Sequence, residues 1–409
     1  MSEFINNISL RRKELYNFSA GIINGGKRKI FIEKFQTAIN NLTPADVIYV
    51  VHELIAEQFS VEEVKTHIGK ILNIFYEPLK NYNRILPEKN TFLYYLEQEN
   101  RAAEKILSEI KTLLKALNKK EADIKDIKNK LLKLFSKLSE FEKHYRKKEN
   151  ILFPYIEKKD DKYNCLKVMW SFHDEIRETL KKIISLIKND SFNLHEFNKQ
   201  TGKLFFAVVP IIFREEYILH PFALEILDDK DFNEMLIQSF EIGFAYIETP
   251  ERPENNISNE ELNTNGLKTE EMFVNLKTGG LLPEQIILLI NNLPVDITFV
   301  DENDVVKFFS NPKHRFFTRS KAIIGRTVQN CHPHESVHIV EEILQSFKNK
   351  EKDKARFWIQ MKERFILIEY YALYDDSGNY KGTIEVSQDI TDIKMLEGEQ
   401  RLLDWNKSK

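Results

Sequence analysis

Along about the first 250 residues, apolar side chains recur at steps of three and four, the spacing of one face of an α-helix. Ile106, Ile110, Leu113 and Leu117 form one such stripe. Four long runs, roughly 91–118, 121–158, 163–188 and 194–227, are separated by short connections. They predict an antiparallel four-helix bundle. Residues 1–82 predict shorter helices. Thr43 precedes Pro44 and Asp46 as an N-cap with proline at the first helical position. Ser60 followed by Glu63 is a capping-box pattern. Asn83 to Glu88, with Pro87, interrupts the pattern, and 228–247 add a further helical segment.

The pattern then changes. Residues 248–266 are polar, rich in Pro and Asn and free of aromatics, which reads as a linker running to about 280. Beyond a short helix at 281–291, β-rich runs occupy 295–300 and 305–309, joined by Asp301–Asp304. Helical pieces at 320–328 and 336–349 follow, then strands at 355–361, 365–374 and 382–386, with a turn over Asp376–Asn379. That order is α+β. The expected organisation is a helical domain over 1–82, a bundle over 88–247, a linker over 248–280, an α+β domain over 281–396 and a tail over 397–409.

Composition narrows the class. The chain has 409 residues, 42% hydrophobic and 30% charged, enough for two to four folded domains. A net charge of −3 gives no basis for general nucleic-acid binding. Cys165 and Cys331 stand in unrelated contexts, which argues against a disulfide framework or a cysteine zinc site. The first residues lack a signal-type apolar core, and no window approaches 18 uninterrupted apolar residues. A cytoplasmic protein without membrane contact is expected.

Two stretches echo each other. Residues 148–154 read K-E-N-I-L-F-P and residues 215–221 read E-E-Y-I-L-H-P. Each places a carboxylate, Glu149 or Glu216, five residues before a proline. His173 lies between them in F-H-D-E-I. Glu/His pairs on neighbouring helices can build a metal site for Fe(II), Mn(II) or Zn(II) in a bundle core. His144, Glu149, His173, Glu216 and His220 are the candidate ligands. Glu216 and His220 are four apart and share a helical face. His144 and Glu149 are five apart, about 140° around an ideal helix, so sharing an ion needs a wider local turn such as a π-bulge. The competing account is a polar core cluster without metal, with His220 packing ahead of Pro221. His52, His67 and His195 stand alone and read as structural or surface residues.

Three stretches near the C-terminus resemble a PAS sensor domain over about 282–396: N-L-P-V-D-I-T-F-V-D-E-N (292–303), I-I-G-R-T-V-Q-N-C-H-P (323–333) and I-E-V-S-Q-D-I-T-D-I (384–393). H-Y-R-K-K-E-N-I-L-F-P (144–154), H-D-E-I-R (173–177) and F-R-E-E-Y-I-L-H-P (213–221) resemble a hemerythrin-like HHE bundle. The whole chain is similar to a bacterial family that joins an N-terminal helical domain of unknown function, an HHE bundle and a PAS domain. S-V-E-E-V-K (60–65) and F-E-I-G-F (240–244) fit it too. The implied fold is multidomain: an all-α N-terminal domain and a hemerythrin-like four-helix bundle, followed by an α+β PAS domain.

The resemblance implies non-haem iron, mono- or dinuclear, in the bundle. The chain departs from oxygen-carrying members at Asn100, Arg177 and Ile211, where ligand histidines are expected, and from the larger family at Asn90-Thr91, where a further histidine is common. In the PAS domain it implies a small ligand or haem, with His332 as candidate haem ligand; a turn or helix cap ahead of Pro333 is the alternative. Phe308, Phe309, Phe316 and Phe317 read as core or as cavity lining. The expected function is a sensor or regulator answering oxygen, nitric oxide or redox state, dimeric through PAS-flanking helices. With only the short stretch 394–409 following, output is expected to run through an unidentified partner protein or through the N-terminal helical domain. The alternatives are an iron-dependent peroxide or nitric-oxide scavenger and an interaction scaffold with a degenerate metal site.

Overall fold

Helices α1 (Ser2–Ile23), α2 (Arg28–Asn40), α3 (Pro44–Glu57) and α4 (Val61–Asn81) open the chain. Both expected starts are capped on both sides. The Asp46 N–H donates to Thr43 Oγ1 (3.3 Å) and the Thr43 N–H to Asp46 Oδ2 (3.0 Å). Ser60 and Glu63 exchange the same pair of bonds at 3.3 and 2.8 Å. Asp46 is wholly buried and also accepts from Arg11 and Arg12, at 2.7 and 3.0 Å. This computed structural model describes residues 2–119, 123–189, 191–253 and 274–399, apart from 277, 314, 318 and 362. Most of the expected linker and tail therefore lies outside the described residues.

The bundle begins with α5 (Phe92–Lys119). Its second rod is composite. It runs through α6 (Ile124–Leu138), a 3-10 turn (Ser139–Phe141), α7 (Glu142–Lys147), a π turn (Lys148–Leu152) and α8 (Phe153–Lys159). Next comes α9 (Asn164–Lys188). The fourth rod is α10 (Leu194–Arg214), a second π turn (Glu215–Leu219) and α11 (His220–Ile226). Helix α12 (Asp229–Ile242) follows. Both π turns have the same cause. Pro154 and Pro221 have no N–H for the carbonyl four residues back, and their rings would clash with it. The chain widens just ahead of each: Phe153 N–H reaches the Lys148 carbonyl and His220 N–H the Glu215 carbonyl.

Leu96, Ile106, Ile110, Leu131, Phe135, Ile183, Phe197 and Leu204 form the bundle interior, none more than 4% exposed. Leu54 of α3 and Phe75 of α4 belong to the same apolar cluster. Residues 1–82, expected as a domain of their own, thus share one core with the bundle, with α3 and α4 packed on α9. Burial of these stripes supplies most of the stability of helices too short to persist alone.

The described residues form two units, one through residue 253 and the other mainly from residue 274 on. The second holds a short ribbon of β1 (Val274–Asn275) and β2 (Gly280–Leu281), then α13 (Pro283–Asn292). The main sheet contains β3 (Asp296–Asp301), β4 (Val306–Phe309), β5 (Lys354–Met361), β6 (Arg364–Tyr374) and β7 (Tyr380–Asp389), with α14 (His334–Lys348) ahead of β5. It is antiparallel in the order β4-β3-β7-β6-β5. Phe299 pairs with Ile384, and Ile368 with Ser387. Val300, Val306, Ile323, Val328, Val340 and Leu344 make its core. The helix expected over 320–328 resolves into 3-10 turns at Lys321–Ile323 and Val328–Cys331, because Gly325 takes a φ of +86° between them. Gly382 is required by β3: a Cβ there would lie 2.2 Å from the Val300 carbonyl oxygen.

Candidate functional site

The centre of the bundle holds charges. His144 of α7 is fully buried, with Nδ1 2.9 Å from Glu99 Oε2 of α5 and Nε2 3.0 Å from Glu215 Oε2. Both ring nitrogens therefore face carboxylates, and Phe141 stacks on the ring at 4.4 Å. The next two positions after α7's Arg146 are lysines. Lys147 donates to Glu99 Oε1, which also accepts the Ala245 N–H at 2.7 Å. Lys148 opens the first π turn; its ammonium donates to Glu215 Oε1 and to His173 Nε2, the latter at 3.0 Å. His173 Nδ1 in turn lies 2.7 Å from Glu149 Oε1, and Arg177 holds the other Glu149 oxygen at 2.8 Å. The Lys148 ammonium has no lone pair to accept with, so its bond to Nε2 goes with the neutral Nδ1–H tautomer of His173.

Three ion pairs result: Lys147 with Glu99, Lys148 with Glu215, Arg177 with Glu149. Lys147 and Lys148 are 1% and 0% exposed, a degree of burial that charged side chains tolerate only when paired. Burial by itself would raise the Glu215 carboxyl; Lys148 and His144 outweigh it and hold that carboxyl well below the usual range. Glu99 is also held low, burial being overcome by His144 and Lys147. Burial, with Lys148 and Arg177 adding to it, pushes His173 well below the ordinary histidine value. For Glu149 burial wins over Arg177, and its pKa is raised.

The five residues expected as ligands do not converge. His144 faces Glu99 and Glu215. His173 and Glu149 face each other. Glu216 and His220 sit against α5, where Glu216 accepts from Arg101 and Asn100 and His220 Nδ1 lies 3.4 Å from Glu97. Asn100 also donates to Glu215 at 3.0 Å, so its amide serves the carboxylates at the place where a ligand histidine was expected. Four central residues escaped sequence reasoning: Glu99, Glu215, Lys147 and Lys148. The signal for two of them lay in the echo. Aligned motif to motif, Lys148 matches Glu215, and these oppositely charged first members meet across the bundle. The second members, Glu149 and Glu216, each take an arginine.

These residues do not fit a metal ion. An ion joining Glu215 and His173 would stand where the Lys148 ammonium stands. A divalent ion about 3 Å from that ammonium meets a repulsion of roughly 10 kcal/mol even at an effective dielectric near 20. Both His144 nitrogens and both His173 nitrogens are engaged with protein partners. Among the described residues, no group of three or more His, Cys, Asp or Glu is placed to hold a metal.

The second unit has a polar cluster of its own. Arg319 Nη2 pairs with Glu385 Oε2 of β7 at 2.9 Å, their side chains 15% and 13% exposed. Burial works against the Arg319 charge, and Glu385 more than restores it. Burial raises the Tyr370 hydroxyl, with Glu385 adding to it. Burial lowers His332, against Glu385 and together with Arg319. His332 thus sits within the field of an ion pair, at the end of the Val328–Cys331 turn.

Residues 91–223 match the family model described as the hemerythrin HHE cation binding domain, and residues 286–391 match that of a PAS domain. The chain therefore joins an N-terminal helical region and a hemerythrin HHE bundle to a C-terminal PAS domain. Among solved structures, a C-terminal domain from Streptococcus mutans is similar at 29% identity, covering 31% of this chain and 97% of that one, with a TM-score of 0.30. A PAS domain from Colwellia psychrerythraea is similar at 19% identity, covering 27% and 97%, with a TM-score of 0.22. A sensory box sensor histidine kinase from Vibrio cholerae is similar at 14%, covering 26% and 92%, with a TM-score of 0.21. No curated protein matches the chain. Among the described residues, no helix is long and apolar enough to cross a membrane.

Proposed function

We propose that this chain is a cytoplasmic sensor or regulatory protein whose PAS domain takes up a small anionic ligand. The observation that carries the reading is the partly buried Arg319–Glu385 pair, whose charges act on His332 and Tyr370. Burying a guanidinium and a carboxylate yields little net stability. Such a pair has a use where a ligand's own carboxylate displaces Glu385 from the guanidinium fork. The joining of HHE and PAS domains supports a sensing role in general. Haem on His332 has weaker support, because a charged pair lies beside the ring and a porphyrin needs apolar walls.

Iron in the bundle, with a response to oxygen, nitric oxide or redox state, would require Lys148 to leave Glu215 and His173. The scavenging reading carries the same requirement. Ligand sensing is therefore placed first. On helix α13, Ile287, Leu288 and Leu289 are 54%, 62% and 56% exposed, which supports a homodimer through this PAS-flanking helix. Light scattering on the wild type and Leu288→Glu tests that: a monomeric wild type removes it.

The main test uses the full chain and its Arg319→Met variant in thermal melts against a panel of small carboxylates. A member that raises the wild-type Tm and leaves the variant unmoved is the expected result. Equal shifts in both proteins, or none in the wild type, would defeat the reading.

A further inference from the structure

We infer that Lys148 is the resident cation of the bundle, its ammonium joining Glu215 and His173 in place of a metal ion. The residue is 0% exposed and reaches side chains from two other rods of the bundle. Its ammonium lies over the Tyr145 ring, with Nζ 4.9 Å from the centroid. Lys147, its neighbour, does the same for the remaining rod: it pairs with Glu99 of α5 and lies 4.4 Å from the centre of Phe244. Consecutive residues on a regular helix point about 100° apart. Two adjacent lysines at the mouth of a π turn can therefore serve two different carboxylates, one on each side of His144. Every carboxylate of the central cluster then has a protein cation, and none is left over to attract a divalent ion. The bundle completes its charge from its own sequence and folds without metal.

The test uses the full chain, purified under nitrogen from cells supplied with iron, manganese and zinc. Less than about a tenth of an ion per chain is expected, with a Tm that moves by under about 1 °C on adding EDTA or Fe(II). One or two tightly held ions per chain, or a clear rise in Tm with Fe(II), would overturn the inference and leave the PAS reading untouched. A second arm needs no metal. Lys148→Met and Glu215→Gln are each expected to lower Tm by roughly 10 °C, and the double variant by clearly less than their sum. Strictly additive losses would show that the pair does not hold the site, and would equally overturn it.

Discussion

The bundle buries its central lysine–glutamate pairs completely and the PAS domain its Arg319–Glu385 pair only in part, and they differ in what surrounds them. In the bundle, Lys147, Lys148, Glu99 and Glu215 are at most 1% exposed and interlock through His144. In the PAS domain the Arg319–Glu385 pair keeps a margin of solvent on both side chains. Where water is excluded, a charge stripped of its partner has nothing to replace it. Where some water reaches, solvent or a ligand can step in. The first arrangement suits a fixed internal brace and the second an exchangeable contact.

The sharpest way to break this comparison is to delete one cation from each region. Lys147→Met leaves Glu99 buried with only His144 and the Ala245 N–H, and is expected to cost about 3–5 kcal/mol in denaturant unfolding. Arg319→Met is expected to cost less, about 1–3 kcal/mol, since Glu385 can recover some hydration. Equal losses, or the reverse order, would erase the distinction between brace and exchangeable contact.

Acid sharpens it further. The folded-state pKa of His173 lies well below 6.5, so the unfolded chain binds a proton that the folded chain refuses. This contribution is complete above the unfolded value and declines as pH falls below it, by up to about 1.4 kcal/mol per unit. The Glu215 and Glu99 carboxyls are depressed, so their contribution is present above the unfolded value of 4.5 and is lost as pH falls through their folded values. Urea unfolding of the bundle across this range is expected to show a gentle decline below pH 6.5 and a steeper one below 4.5. His173→Gln is expected to flatten the first limb and leave the second in place. An unchanged first limb would mean that His173 is not the group refusing the proton.

The smallest expected effect is at a helix start. Thr43→Ala removes half of a capping box and should cost about 1 kcal/mol. A loss as large as that of Lys147→Met would mean that the cap, rather than the charged core, governs the helical unit.

Much of the architecture was legible because it is local. The stripe through Ile106 and Ile110 marks α5, Thr43 and Ser60 mark helix starts, and the β-rich runs after residue 295 mark the sheet. A wider turn near Glu149 is expected only if His144 and Glu149 share an ion; the turn is there although they do not. The proline that ends each echoed motif supplied its cause. The candidate site was less legible. His144, Glu149, His173, Glu216 and His220 are all buried, but Lys147 and Lys148, whose type points to solvent, carry no sequence signal for the core.

Sequence by itself determined most of the helices and strands and the capped starts of α3 and α4. Each of those depends on residues within one or two turns. Only tertiary structure decided that Lys148 meets Glu215, 67 residues away, and that Lys147 meets Glu99, 48 residues away. Pairing across a bundle depends on how each rod is rotated and how far it slides along its neighbour, and that is fixed when all the apolar stripes are buried together.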